Sequence, residues 1–278
     1  MTGPAENPVT ANAASCASAQ GAHHTLTRGA ATIAYHHTPA SAAGRGKPGV
    51  VFLGGLRSDM TGTKATALES WAVAQGLAFT RFDYQGHGIS SGRYEDGCMS
   101  VWAADAIAIL DQVTSGPQVL VGSSMGGWAM LLTARERLDR VVGMVGIAAA
   151  PDFTETLMWE QFDEATRARL LADKVIWQPS DYGDPEPVTL KLIEDGRQQR
   201  VLTRPYRFDG PVRLLQGMDD TVVPWQTTLA IAEAMTTTDL RIIMVKGGDH
   251  RLSTPSDIEL LCRTVGEVVE AAAGKASA

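Results

Sequence analysis

Two serines stand side by side in VLVGSSMGGW, Val119 to Trp128. A serine hydroxyl becomes a nucleophile only where a neighbouring base can take its proton. The pattern glycine–any–serine–any–glycine describes a strand that turns sharply into a helix, with serine at the apex. The residues two before and two after the apex crowd each other and must be small. For Ser124 they are Gly122 and Gly126; for Ser123 they are Val121 and Met125. The spacing therefore selects Ser124. An apolar run, QVLVG, precedes it and a helix-like run, GWAMLLTARERL, follows, which is the context the pattern requires. A phosphate-cradling loop is excluded: Gly62-Thr63-Lys64 lacks the upstream glycine spacing, and GSSMGG is not G-x-G-x-x-G.

The base is found by elimination among six histidines. His23, His24, His36 and His37 fall in the N-terminal tail or the first hairpin, away from the loops that end the inner strands. His87, in FDYQGHGISSG, and His250, in VKGGDHRLS, both sit in loops after strands, where catalytic groups collect. An elbow of this kind takes its partners in the order serine, acid, histidine. Only His250 follows Ser124, so His87 is read as a structural residue tying a glycine-rich turn. The acid belongs in a loop between them, and VRLLQGMDDTVVPW supplies Asp219 and Asp220. Either can accept from Nδ1–H of His250 and stabilise its imidazolium. Asp249, adjacent to His250 in sequence, would point elsewhere.

These groups need a frame. HTLTRGAATIAYHHT reads as an antiparallel pair, and GVVFLGG, LAFTRFDY, QVLVGSS, VVGMVGIAAA, PVRLLQG and LRIIMVKGG read as further strands. Helical runs separate them, which predicts an α/β fold: a mostly parallel, eight-stranded sheet flanked by helices. Ser256 with Glu259 suggests a capping box at the start of the last helix. The stretch from about residue 151 to residue 210 breaks the alternation and is too long for a bare loop. It is expected to form a small helical lid inserted into a domain spanning residues 23–278. Residues 1–22 are small, polar and proline-containing, and read as a disordered tail.

The chain has 278 residues, 44% of them hydrophobic, and a net charge of −7. That excludes electrostatic attraction to nucleic acid. No run of about 18 apolar residues predicts a membrane span. Three scattered cysteines predict neither a disulfide framework nor a zinc site, and fit a reducing, cytoplasmic compartment. A monomer or small homo-oligomer acting on a small-molecule or acylated substrate is expected, with no metal and no cofactor.

The elbow GSSMG, the loop GHGISSG, the acid loop GMDDTVVP and the histidine loop GDHRLS together resemble the α/β-hydrolase fold family from about residue 25 onward. VFLGGLRSDMTGTKA and LIEDG narrow the resemblance to the branch of mitochondrial palmitoyl-protein thioesterases that also hydrolyse acyl glucuronides. This resemblance implies several things. Gly217 aligns with the family's G-x-x-D-x-x-V-P pattern so that the acid is Asp220. The backbone N–H groups of Leu56 and Met125 form the oxyanion hole, Met125 at a helix N-terminus that favours negative charge. In a eukaryote, a mitochondrial location would follow.

The chain departs from the family at Gly54-Gly55, where many members have His-Gly, and at Gln216, where many have histidine before the glycine. The implied activity is hydrolysis of carboxylic esters or thioesters through an acyl-enzyme. Cleavage of a C–C bond or lactone by the same triad, or a hydrolase-fold protein that binds without turnover, stay open as alternatives. Dehalogenase and epoxide-hydrolase chemistry would need aspartate at position 124. Arg57, Ser58 and Asp59 follow the oxyanion loop, and Arg57 is a candidate substrate contact. In the lid, Phe153, Leu157, Met158, Trp159 and Trp177 are candidates to line an acyl pocket, or else to pack the lid down.

Overall fold

The computed structural model describes residues 23–180 and 183–276; the expected tail, residues 1–22, lies outside them. β1 (His24–Arg28) and β2 (Ala31–Thr38) form an antiparallel hairpin. Strands and helices then alternate: β3 (Gly49–Leu53), α1 (Thr63–Ala74), β4 (Phe79–Phe82), α2 (Met99–Gln112), β5 (Gln118–Ser123), α3 (Met125–Glu136) and β6 (Val141–Ile147). An insertion holds α4 (Glu164–Asp173), β7 (Val175–Ser180), β8 (Gly183–Thr189) and α5 (Leu190–Gln198). β9 (Val212–Gly217), α6 (Trp225–Ala234), β10 (Leu240–Val245) and α7 (Pro255–Ala276) complete the chain.

The main sheet has eight strands in the order β1-β2-β4-β3-β5-β6-β9-β10. Pairing is parallel from β4 through β10 and antiparallel only at the N-terminal edge. The six parallel strands thus end on one edge, and the loops after β3, β5, β9 and β10 share it. Alternation along the strands divides the core. Val119 and Val121 of β5 face Leu68, Ala72, Val265 and Val269 of α1 and α7. Leu120 faces the other way, into the cluster holding Trp102, Ile109, Trp128 and Leu131 of α2 and α3. With helices on both faces the inner strands read as nearly continuous apolar runs.

The insertion is helical only in part. Its α4 and α5 flank an antiparallel hairpin, β7 with β8, where a helical lid was expected. The sequence explains this: Pro179, Pro185 and Pro187 cannot sit in a helix interior, and a two-stranded ribbon has free edges that tolerate them. Leu170, Ile176, Val188, Leu190 and Ile193 bury one another as a separate small core, with Trp159 and Phe162 packed on it.

Helix ends show how the parts are fastened. The cap of α7 is Thr254 with Asp257: the Thr254 amide and hydroxyl both donate to Asp257 Oδ2, at 3.0 and 2.6 Å, and the Asp257 amide returns to Thr254 Oγ1 at 3.3 Å. This reciprocal box sits two residues before the expected Ser256–Glu259 pair, because Pro255 is suited to the first helical position. Cys98, which precedes α2, makes no side-chain cap. Asp195 of α5 serves instead, accepting from Ser100 N at 2.9 Å and Ser100 Oγ at 2.5 Å. The LIEDG motif thereby joins the insertion to the sheet domain, and a Cβ on its Gly196 would strike the Thr154 side chain. Replacing Asp195 with alanine should lower stability by about 1–2 kcal/mol, read as an earlier midpoint in urea denaturation with an unchanged slope.

Candidate active site

The sharpest backbone feature lies between β5 and α3. Ser124 has φ 53° and ψ −120°, a conformation that costs a non-glycine residue about 1–3 kcal/mol and persists only where its surroundings enforce it. Three hydrogen bonds do so: Ser124 N donates to Ile147 O at 2.9 Å, and Ser124 O accepts from Gly127 N at 2.8 Å and Ala150 N at 3.1 Å. The glycines are steric requirements. A Cβ on Gly122 would collide with the Gly126 carbonyl, and one on Gly126 with the carbonyls of Leu53 and Gly54. Gly127 likewise lets α3 lie against Ala149. Ser123 is buried in β5, whereas Ser124 is half-buried at the turn.

The loops after β9 and β10 bring the two other candidates to this serine. His250 Nε2 lies 3.1 Å from Ser124 Oγ, and His250 Nδ1 lies 2.9 Å from Asp220 Oδ2. The two loops pack backbone to backbone. Asp219 N donates to Gly248 O at 3.0 Å, Met218 N donates to Val245 O at 2.9 Å, and a side chain on Gly217 would collide with Gly248 O. Asp219 itself is exposed. Asp249 accepts from Leu252 N at 2.9 Å and stiffens its own loop.

The Asp220 side chain is fully enclosed. Burial alone would raise its pKa, but the hydrogen bond from His250, with the amides of Val223 and Val222, outweighs burial and holds the carboxyl below its ordinary value. The Oδ1 atom takes both amides at 2.8 Å. Gln216, fully buried at the end of β9, adds a donor to Oδ2 at 3.0 Å. In the sequence Gln216 stands out only as a departure from the family, and the fold shows its side chain turning toward the acid. Such a line can pass the Ser124 proton to Nε2 while the carboxylate balances the charge that forms on the ring.

The loop after β3 closes the other side. Ser58 N and Oγ both donate to Gly55 O, at 3.2 and 2.8 Å. Behind the turn, Met60 N donates to Asp83 Oδ1 at 2.7 Å, and Arg81 Nη1 donates to Met60 O at 2.8 Å. Leu56 and Met125 both line the cavity that holds Ser124 and His250. Met125 opens α3, so its N–H has no partner within the helix.

That cavity measures about 620 Å³. Its lining mixes apolar side chains, among them Phe153, Leu157, Met158, Val222 and Val223, with polar ones, among them Arg57, Ser58, Lys64, Arg251 and Ser253. Arg57 lies 3.6 Å from Glu186 of β8, which also lines the cavity. Trp159 and Trp177 are not in the lining. Trp159 packs on the small core of the insertion and carries the guanidiniums of Arg167 and Arg197 over its ring, at 5.4 and 4.4 Å. Trp177 is 57% exposed. Trp159 and Phe162 thus pack on the insertion's own core, while Trp177 faces outward. Lys64 was not anticipated from sequence. Its ammonium donates to Arg251 O and to Ser253 Oγ, and burial pushes its pKa down to about 8.

Residues 50–264 match the profile of the Alpha/beta hydrolase family. The chain is 37% identical over 225 residues to the mitochondrial palmitoyl-protein thioesterase ABHD10 of Homo sapiens, a match covering 80% of this chain and 73% of that protein. Among solved structures, alpha/beta hydrolase domain-containing protein 10 from mouse superposes with a TM-score of 0.81 at 34% identity, over 90% of this chain and 98% of that one. A crystal structure from Agrobacterium vitis S4 superposes with a TM-score of 0.84 at 38% identity, over 89% and 98%.

His87, the other loop histidine, stands outside the cavity. It is 3% exposed and sits edge-on among the rings of Tyr84, Tyr94 and Trp102. Burial lowers its pKa from 6.5 to about 4. The folded state therefore keeps it neutral while the unfolded chain takes up a proton below pH 6.5, so its contribution is complete above 6.5 and shrinks as pH falls toward 4. The loss amounts to about 3 kcal/mol. In His87→Phe, denaturant titrations between pH 7 and 4 should show a shallower fall in stability than wild type; parallel curves would refute a neutral buried imidazole.

Proposed function

The chain belongs to the alpha/beta hydrolase family, and on that basis we propose that it hydrolyses acyl esters or thioesters through a covalent Ser124 intermediate. The hydrogen-bonded line from Asp220 through His250 to Ser124 carries this reading. His250 takes the Ser124 proton as Oγ attacks the acyl carbonyl. The backbone N–H groups of Leu56 and Met125 receive the developing oxyanion, a contribution of about 3–4 kcal/mol per donor. The tetrahedral intermediate collapses and His250 protonates the departing alcohol or thiol. Water, activated by the same ring, then releases the acid. Asp220 stays ionised throughout, as its lowered pKa favours.

The mixed lining of the cavity suits an acylated substrate. The side chains of Phe153, Leu157, Met158, Val222 and Val223 suit an acyl chain. The ammonium of Lys64 in the same lining suits a leaving group that bears negative charge. An acylated protein or an acyl glucuronide would each bring an acyl carbonyl to Ser124. The insertion acts as a lid in this reading, because Phe153, Met158 and Glu186 bring it to the cavity. A binding protein without turnover would not need a serine strained into reach of a paired histidine.

A panel of acyl esters, acyl-CoAs, acylated peptides and acyl glucuronides tests the reading. Ser124→Ala should lose at least about 10⁴-fold in kcat and all labelling by a fluorophosphonate, with its thermal unfolding intact. Substantial residual turnover would rule out Ser124 as nucleophile. Lys64→Met should raise KM about tenfold for substrates with an anionic leaving group and leave neutral esters unaffected. In the wild type the same selectivity should fade as pH rises through about 8. Equal KM changes for both substrate classes would remove Lys64 from leaving-group recognition.

A further inference from the structure

We propose that Gln216 is a positioning residue for the catalytic acid: its side-chain amide fixes the Asp220 oxygen to which His250 is bonded. The inference rests on the triad reading above. Asp220 Oδ2 receives two side-chain donors, His250 Nδ1 at 2.9 Å and Gln216 Nε2 at 3.0 Å. With Oδ1 held by two amides, the carboxylate has no freedom to rotate about its Cβ–Cγ bond without breaking a bond at each oxygen. Gln216 is 0% exposed, so water cannot replace its amide.

The orientation of that amide is itself determined. Nε2 faces three acceptors, Asp220 Oδ2, Val223 O at 3.1 Å and Gly217 O at 3.2 Å, and its two protons meet them with one proton shared; an oxygen in its place could meet none. On the other side Oε1 accepts from Thr228 Oγ1, 2.9 Å away and buried in α6. A reversed amide would set an oxygen against all three acceptors. The line of hydrogen bonds thus begins on a helix, at Thr228, and runs through Gln216, Asp220 and His250 to Ser124. A glutamine here supplies a neutral donor. It orients the carboxylate without adding a charge that would compete with the imidazolium for it.

Gln216→Met keeps side-chain length and removes both polar ends. It should lower kcat about tenfold with KM unchanged. The acid limb of the kcat/KM profile should move up by about half a pH unit or more, because a carboxylate with one donor fewer holds the imidazolium more tightly. Lys64, Asp249 and Arg251, with Arg57, Asp59 and Glu186 of the same cavity lining, are the other charged groups around His250 and are the same in both proteins. The downfield proton resonance of His250 Nδ1–H should shift as well, and Gln216→His, which restores an N–H, should recover part of kcat and of the profile.

A wild-type profile, kcat and proton resonance in Gln216→Met would overturn the proposal. Where that variant does not fold, Thr228→Val, which removes the hydrogen bond to Oε1 and lets the amide shift away from Asp220 without turning over, should change kcat and profile in the same direction by a smaller amount; wild-type behaviour there also overturns it. If the wild-type enzyme hydrolyses nothing in the substrate panel, the nucleophile reading fails and not this one. The proton resonance, which needs no substrate, then decides whether Gln216 holds the Asp220–His250 pair.

Discussion

The site depends on one crossing of backbones. Where β5 turns into α3, the carbonyls of Leu53 and Gly54 pass so close to Gly126 that no side chain fits, and Gly122 meets the Gly126 carbonyl in the same way. This crowding forces Ser124 to φ 53° and lifts its hydroxyl above the sheet edge. The same contact sets the loop after β3 beside the first turn of α3, so that Leu56 and Met125 line one cavity with Ser124. The strain at one residue is balanced by close packing that a relaxed turn would lack. A larger residue at 122 or 126 would therefore separate Ser124 from Leu56 and Met125 before it altered any of them directly.

The second dependence is on adjacency at the far side of the sheet. β9 and β10 are parallel neighbours, so the acid loop and the histidine loop leave the sheet side by side. Gly217 allows them to touch. Asp220 and His250 meet because of strand order, not sequence distance. Ser124, three strands away from His250 in the order β5-β6-β9-β10, is reached because the imidazole projects back across the ends of the strands between.

Much of this was legible in the sequence, and the reasons are local. The glycine bracket selects Ser124 over Ser123 because steric exclusion acts over four residues. The six parallel strands are visible because burial on both faces leaves apolar runs. Long-range choices were less accessible. Asp219 and Asp220 differ by one residue of loop path, and only the resemblance to a family pattern separated them. The fate of the insertion's aromatics was invisible, because whether Trp159 faces a cavity or Leu170 depends on packing between α4, α5 and the hairpin. Lys64 reads as a surface residue on a helical run until Arg251 O and Ser253 Oγ are seen to cover it. Likewise Gln216 shows its importance only when β9 is placed under the acid loop.

Three buried carboxylates show what makes Asp220 suited to its place. Burial is the largest influence on Asp83, Asp105 and Asp220 alike, and in each it opposes ionisation. At Asp83 two backbone amides do not overcome it. At Asp105 the Arg28 guanidinium and the Gln85 amide do not either. Both of these pKa values are raised. Asp220 alone of the three is lowered. Two things differ: Asp220 as a residue is less deeply buried than Asp83 or Asp105, and the histidine with two amides of one tight turn outweighs the burial that remains. Gln216 adds a fourth donor at Oδ2. Every lone-pair direction of the carboxylate meets a donor, so its charge is held where it can offset the imidazolium. Asp83 and Asp105 hold loops in place, a task that tolerates a raised pKa. Balancing a positive ring does not, and the turn that follows β9 supplies the donors that this requires.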